Sequence, residues 1–231
     1  MMKNSKAPSK NRSKGTRTSP ETARPRTRKR REQKRAIETR VAILEAALSE
    51  FARNGFEGAS TRRIAERAGL HHPLITYHFR TKDILWRAVA ERAFGEIRGM
   101  WDERIPKDSV LSPVDRVREE FRSFLQFTME HLDFHQFMLW ESRPDSPRLA
   151  WLARNMLRPT ISRIVPQIKG AQKDGALPSG DPVLIYYLLI GVMSVLSSLG
   201  GEMRATSDIS ATSPEVVNEY WTLVDRLIFD R

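Results

Sequence analysis

Residues 60–82 read STRRIAERAGLHHPLITYHFRTK, and no other part of the chain limits its fold so tightly. Ile64, Ala65 and Ala68 fall on one face of a short helix from about Thr61 to Ala68, with Ser60 or Thr61 as its cap. Gly69 turns the chain, and a second short helix follows to about Tyr77. Thr81 then stands as the N-cap of a longer helix, KDILWRAVAERAFGEIRGMW. Upstream, Ile37, Val41, Leu44, Leu48 and Phe51 recur at steps of four, three, four and three, which is one face of an amphipathic helix. Asn54-Gly55 stops that helix, with glycine supplying a left-handed C-terminal conformation. Helix, short helix, glycine turn, short helix is the outline of a helix-turn-helix DNA reader.

The remainder also reads as helices. VDRVREEFRSFLQFTMEHL sets Val114, Val117, Phe121, Phe124 and Thr128 on one stripe. A turn-rich break at 143–147 precedes a long segment that contains Pro159 and Pro166, which predict a kink or break near each. Val183 to Gly201 carries no charge and is long enough to be a transmembrane candidate. Gly191, Ser194, Ser198 and Gly201 form a small, polar stripe along it, and no basic cluster flanks it to set an orientation. The expectation is therefore a buried helix–helix seam and no membrane. Ser213-Pro214 starts a last helix with a cap and an N1 proline, burying Val217, Tyr220, Val224 and Leu227. The fold class is all-α.

The charge is unevenly placed. Of the 39 Lys and Arg, 14 lie in residues 1–35, against two of the 28 acidic residues; that segment carries +12 and the rest of the chain −1. With no apolar periodicity, residues 1–35 are expected to be a disordered basic arm. It lacks the apolar core of a secretory signal. Phosphate neutralisation by such an arm strengthens DNA binding without sequence preference. Within RPRTRKRR, Arg26 and Arg28 are candidates for a narrow minor groove.

Catalytic signatures are missing: there is no G-x-S-x-G elbow, Gly-rich phosphate loop, dinucleotide fingerprint or H-E-x-x-H, and there is no cysteine. The chain is therefore not expected to be an enzyme or to carry a cofactor. His131 and His135 stand at a spacing that zinc can use, but no third ligand is identifiable, so no metal is expected. They are instead candidates for a ligand pocket. Phe127 lies roughly 100° from the centre of its helix's stripe by the 3.6-residue period. With Met129, Met138 and Trp140 it could line an apolar cavity between helices.

A reader helix directs polar side chains to base edges and donors to phosphates. His71 and His72 stand at its N-terminal end. Leu74 and Ile75 could meet a thymine methyl, or one of them could be core. Thr76, Tyr77 and His78 offer donors, Arg62 on the preceding helix adds a cation, and Phe79 is the expected buried plug. Lys82 lies at the start of the next helix, where ammonium and helix N-terminus together favour an anion.

In STRRIAERAGL, ITYHF and the T-K-D-x-L start of the following helix, residues 36–85 resemble the TetR family of bacterial one-component transcription regulators. GALPSGDPVLIYYLLIG is similar to the family as well, more weakly. The resemblance implies a three-helix DNA-binding domain over 36–85 and a divergent helical domain over 86–231 that binds a small effector and dimerises. The dimer would pack the last two long helices, about 182–200 and 214–229, as a four-helix bundle; Gly191, Ser194, Ser198, Val217, Tyr220 and Val224 are the candidate interface. The family's phosphate-contacting threonine matches Thr61, its Tyr-His pair matches Tyr77 and His78, and its helix-four lysine matches Lys82. Many members have Tyr where this chain has Thr76, and Ser-Lys-Gly or similar at 71–73. The implied protein is a cytoplasmic homodimer that reads a palindromic operator in double-stranded DNA as a repressor. Its alternative is an effector-independent adaptor or nucleoid protein on the same fold.

Overall fold

The structure is a computed structural model describing residues 1, 24–106 and 108–230, with the backbone alone for 24–28. Among the described residues there are ten α-helices and no strand. They are α1 (Arg24–Gly58), α2 (Thr61–Arg67), α3 (His72–His78), α4 (Lys82–Arg104), α5 (Pro113–Glu130), α6 (Leu132–Glu141), α7 (Leu149–Leu152), α8 (Arg158–Lys173), α9 (Pro182–Ser207) and α10 (Pro214–Ile228). By packing, residues 1–39 form one unit and 40–231 a second.

In the first unit, residues 2–23 of the expected basic arm lie outside the described residues. Residues 24–35, expected from their composition to be disordered, are instead helical. The physical reason is local: after Pro25 the segment RTRKRREQKR has neither glycine nor proline and is rich in straight-chain residues that lose little freedom in a helix. The expected apolar stripe of this region is also shorter than its sequence suggests. Ile37 and Val41 are exposed, and burial along α1 begins at Ile43 and Leu44.

The second unit is organised by α5. Helices α4, α8 and α9 pack around it, so Val117, Phe121, Phe124, Leu125 and Phe127 are all buried. Burial on several faces explains why Phe127, off the main stripe, is still core. Two charges enter this core together. The buried Glu120 carboxylate accepts Arg163 Nε at 2.8 Å, and the Glu120 carbonyl accepts Trp101 Nε1 at 2.8 Å. Burial pushes the Glu120 carboxyl above its ordinary range, against the pull of Arg163.

The two prolines of the long segment behave differently. A π-helical turn, Ala153–Leu157, interrupts the α-helical run just before Pro159, which sits in the first turn of α8. Helix α8 continues through Pro166 without a break. Thr81 caps α4 by accepting from Ile84 N at 3.1 Å, Ser213 caps α10 through Val216 N, and Asp181 caps α9 through Val183 N.

Candidate functional site

The helix-turn-helix is held from behind by a carboxylate. Glu50, fully buried on α1, accepts Arg63 Nε at 2.6 Å, Arg67 Nε at 3.3 Å and the Ser60 backbone N–H at 3.2 Å. Burial raises the carboxyl's pKa, but these donors outweigh it and hold the group below the usual carboxylate range. Ser60, the expected cap, thus satisfies Glu50 through its backbone while its hydroxyl makes no cap bond. Gly69, at φ +64°, makes the turn into α3.

Helix α3 has a buried back and a polar front. Ile75 and Phe79 are buried, so of the pair Leu74 and Ile75 it is Ile75 that serves the core. The Arg40 guanidinium covers the Phe79 ring at 4.4 Å. His71, Leu74 and Thr76 are exposed, and Tyr77 is 80% exposed. His78 is half-buried with its ring edge-on to Tyr77; burial, then the nearby Arg40 charge, lowers its pKa and favours the neutral imidazole. Thr61 Oγ1 and His72 Nε2 lie 3.0 Å apart, tying the start of α2 to the start of α3. Arg62 is exposed and has no ion-pair partner among the described residues. The side chains of Arg26 and Arg28 lie outside the described residues.

Lys82 departs from its expected role as a free anion contact. Its ammonium donates to the carbonyls of Phe56 (2.8 Å), Ala59 (3.2 Å) and Glu57 (3.3 Å), and sits 4.6 Å from the Phe56 ring centre. These are the unsatisfied carbonyls at the end of α1, and a cation there is favoured by their dipoles. Lys82 is committed to closing α1.

Beyond α4 lies a cavity of about 410 Å³ bounded by α4, α5, α6, α8 and α9. Aromatic and aliphatic side chains dominate its wall, with His135, Ser142, Thr160 and Tyr186 among the few polar ones. His135 and Met138 line it as the sequence suggested. Phe127, His131 and Trp140 do not. Phe127 and His131 border a separate space of about 20 Å³, room for about one water, where His131 Nε2 lies 3.4 Å from Glu96. Among the described residues no three ligating side chains gather around either histidine.

Residues 43–89, from the buried half of α1 into α4, match the family model described as bacterial regulatory proteins, tetR family. These residues form a TetR-family DNA-binding domain. Over 190 residues, 82% of this chain and 88% of the relative, it is 23% identical to the HTH-type transcriptional regulator RutR of Escherichia coli K12. Over 52 residues, 22% of this chain and 24% of the relative, it is 42% identical to the tetracycline repressor protein class C of Escherichia coli. Among solved structures, apo AibR aligns with a TM-score of 0.64 at 14% identity, covering 83% of this chain and 98% of that one. The TetR-family regulator PfmR of Thermus thermophilus aligns at 0.57 and 18% identity, covering 79% and 92%. The chain is thus a DNA-binding regulator with a TetR-family reader, and it shares its helical fold with these proteins.

In this regulator Trp140 serves the junction between reader and cavity. It stands on α6 beside cavity residues Met138 and Leu139, yet its indole N–H donates to the Ala52 carbonyl of α1 at 2.8 Å. Arg148 reinforces the junction: its Nε donates to both oxygens of buried Glu141, at 3.0 and 3.1 Å, and its guanidinium covers Phe56 at 3.9 Å. No periodicity marks these roles, because they are set by which helix each residue faces.

The expected interface residues divide. Gly191 and Ser198 are exposed on α9. Ser194 and Val224 are buried within the protomer, so neither can form a surface. Val217 is half-buried against the core, and Tyr220 donates its hydroxyl to the Val192 carbonyl at 2.6 Å, joining α10 to α9. The exposed apolar side chains here are instead Leu184, Tyr187, Leu188 and Leu199 on α9, with Leu223 and Leu227 on α10. Helix α9 is long and apolar enough to cross a membrane by length and composition, with 28% of its most apolar window buried. Its buried side packs on α5, α6 and α8.

Proposed function

We propose that this regulator is a homodimeric repressor whose α3 helices read a palindromic operator and which a small effector in the C-terminal cavity releases. In this reading residues 36–85 are the DNA-binding domain and 86–231 the effector-binding and dimerisation domain. The observation that carries it is α3 itself: Ile75 and Phe79 fix its back, leaving His71, Leu74, Thr76 and Tyr77 on its outer face. Arg62 adds a cation without a carboxylate partner among the described residues, suited to phosphate. Thr61, His72 and His78 act from the edge of this surface. The exposed leucines of α9 and α10 supply an apolar face for a second copy of the chain, whose reader helix would then meet the next half-site about 34–36 Å away.

Release is a population shift: the effector must favour the conformation that does not bind DNA, since equal affinity for both shifts nothing. The cavity of about 410 Å³ supports an effector over the alternative of an adaptor or nucleoid protein, which needs a filled core. Selection of bound sequences from a random duplex library, at about physiological salt where non-specific phosphate binding is weakened, tests the reading. An inverted repeat is expected. Unspecific binding that disappears on removing residues 1–30 would replace it with the coating or adaptor protein.

A further inference from the structure

The cavity wall is selective in charge as well as shape. Of its seventeen lining residues none is Lys, Arg, Asp or Glu, and seven are Phe, Tyr or Trp. Three of its polar groups already serve the protein. Trp101 Nε1 donates to the Glu120 carbonyl, Ser142 Oγ to the Met138 carbonyl at 2.9 Å and Thr160 Oγ1 to the Met156 carbonyl at 2.9 Å. Arg163, whose guanidinium lies 5.3 Å from the Trp101 ring, is committed to Glu120 and Asp102 and does not line the cavity.

Besides Tyr187, which is 53% exposed, two polar groups remain. Tyr186, on α9, is only 3% exposed, and no described residue hydrogen-bonds to its hydroxyl. His135, on α6, also lines the cavity without a hydrogen-bond partner among the described residues. Both residues line the same largely apolar space with hydrogen-bonding capacity that the protein itself does not use, which a ligand there can take up. Burial alone lowers the pKa of His135, keeping the ring neutral, and burial first, then Tyr187, raises that of Tyr186, keeping the phenol protonated. Neither can therefore compensate a buried anion, whose desolvation is costly without a partner charge.

We propose that the cavity takes an uncharged aromatic ligand bearing one carbonyl or hydroxyl group, which His135 and Tyr186 recognise, and rejects carboxylates of the same shape. The inference rests on the cavity being the effector site and deepens that reading. His135 and Tyr186 set orientation, and the aromatic wall supplies most of the contact area.

The test uses the full chain and three naphthalenes of nearly equal size: 2-acetylnaphthalene, 2-naphthoate and 2-ethylnaphthalene, titrated calorimetrically near neutral pH. The ketone should bind about 30-fold or more tightly than the carboxylate. Tyr186→Phe and His135→Phe should each weaken the ketone on the order of 10-fold and leave 2-ethylnaphthalene unchanged. Met138→Trp, which fills the cavity, should abolish binding of both. Equal or tighter binding of 2-naphthoate overturns the proposal, as does failure of all three to bind, or ketone binding indifferent to Met138→Trp. Binding is read without DNA, so the outcomes separate: a ketone that binds as expected but never releases an operator defeats the repressor reading and leaves the ligand class standing.

Discussion

Trp140 and Gly55 are packed so closely that a Cβ on the glycine would lie 3.0 Å from Cε3 of the indole. Gly55 stands at φ +63° and ψ 179°, a conformation open essentially to glycine alone, and it breaks α1 where the indole crosses. The same indole donates to Ala52. Helix α6 carries both Trp140 and the cavity residues His135, Met138 and Leu139, so one helix touches both the cavity and the break in α1. The relationship joins the cavity to the helix that backs the DNA reader.

Gly55→Ala tests this contact. The added methyl meets both the steric limit on φ and the indole, so a loss of about 1–3 kcal/mol is expected. For a chain of this size that lowers Tm by roughly 2–4 °C per kcal/mol in thermal unfolding. A variant as stable as the wild type would mean that the glycine is replaceable and the contact loose.

Lys82→Met separates capping from DNA contact. Three carbonyls lose their donor, so stability without DNA should fall by about 1–2 kcal/mol in urea unfolding. If Lys82 served phosphate alone, the variant would unfold like the wild type and show its defect only with operator present.

Glu50 predicts a pH dependence with a definite sign. Its folded pKa lies below the unfolded value of about 4.3, so its contribution is fully present above that value and is lost as pH falls through the folded one. Glu50→Gln should be less stable at neutral pH and should lose part of the decline that the wild type shows on acidification below about pH 4. Parallel stability curves for the two proteins would show that the Glu50 cluster does not contribute.

How far these relationships are legible in the sequence depends on whether they are local. The turn at Gly69, the cap at Thr81 and the plug at Phe79 involve residues a few positions apart, and all three can be read from the chain. Helical periodicity gives a residue's angle about its own axis, not the neighbour it meets. It therefore assigns Phe127 and Trp140 to a cavity, when one is core and the other reaches α1. Tyr186 lies in an uncharged run in which every residue looks equally suited to burial, and nothing there distinguishes it from exposed Tyr187. Likewise Ser194 shares the small-residue stripe with Gly191, but its hydroxyl bonds back to the Ile190 carbonyl and it faces the protomer's own core.

Tyr77→Ala should separate recognition from folding. With the side chain 80% exposed, stability should stay within about 0.5 kcal/mol of the wild type. Operator affinity should fall by about 1–3 kcal/mol if the phenol meets a base or a phosphate in a defined geometry. Unchanged affinity in a gel-shift titration would move the reading surface away from the C-terminal end of α3.

The dimer can be tested where the protomer's own core is not disturbed. Leu188 and Leu227 are 59% and 73% exposed, so a charge at either position costs the isolated protomer little, whereas Ser194 or Val224 variants would confound assembly with folding. Burying an unpaired charge in an apolar seam is strongly unfavourable. Leu188→Arg and Leu227→Glu should therefore give folded monomers by light scattering after gel filtration, with helical content retained. They should also lose most of their affinity for a two-half-site operator, because each reader then binds without the link that presents its partner at high effective concentration. If both variants remain dimers, the contact lies elsewhere, and the exposed leucines of α9 and α10 must be covered by something other than a second copy.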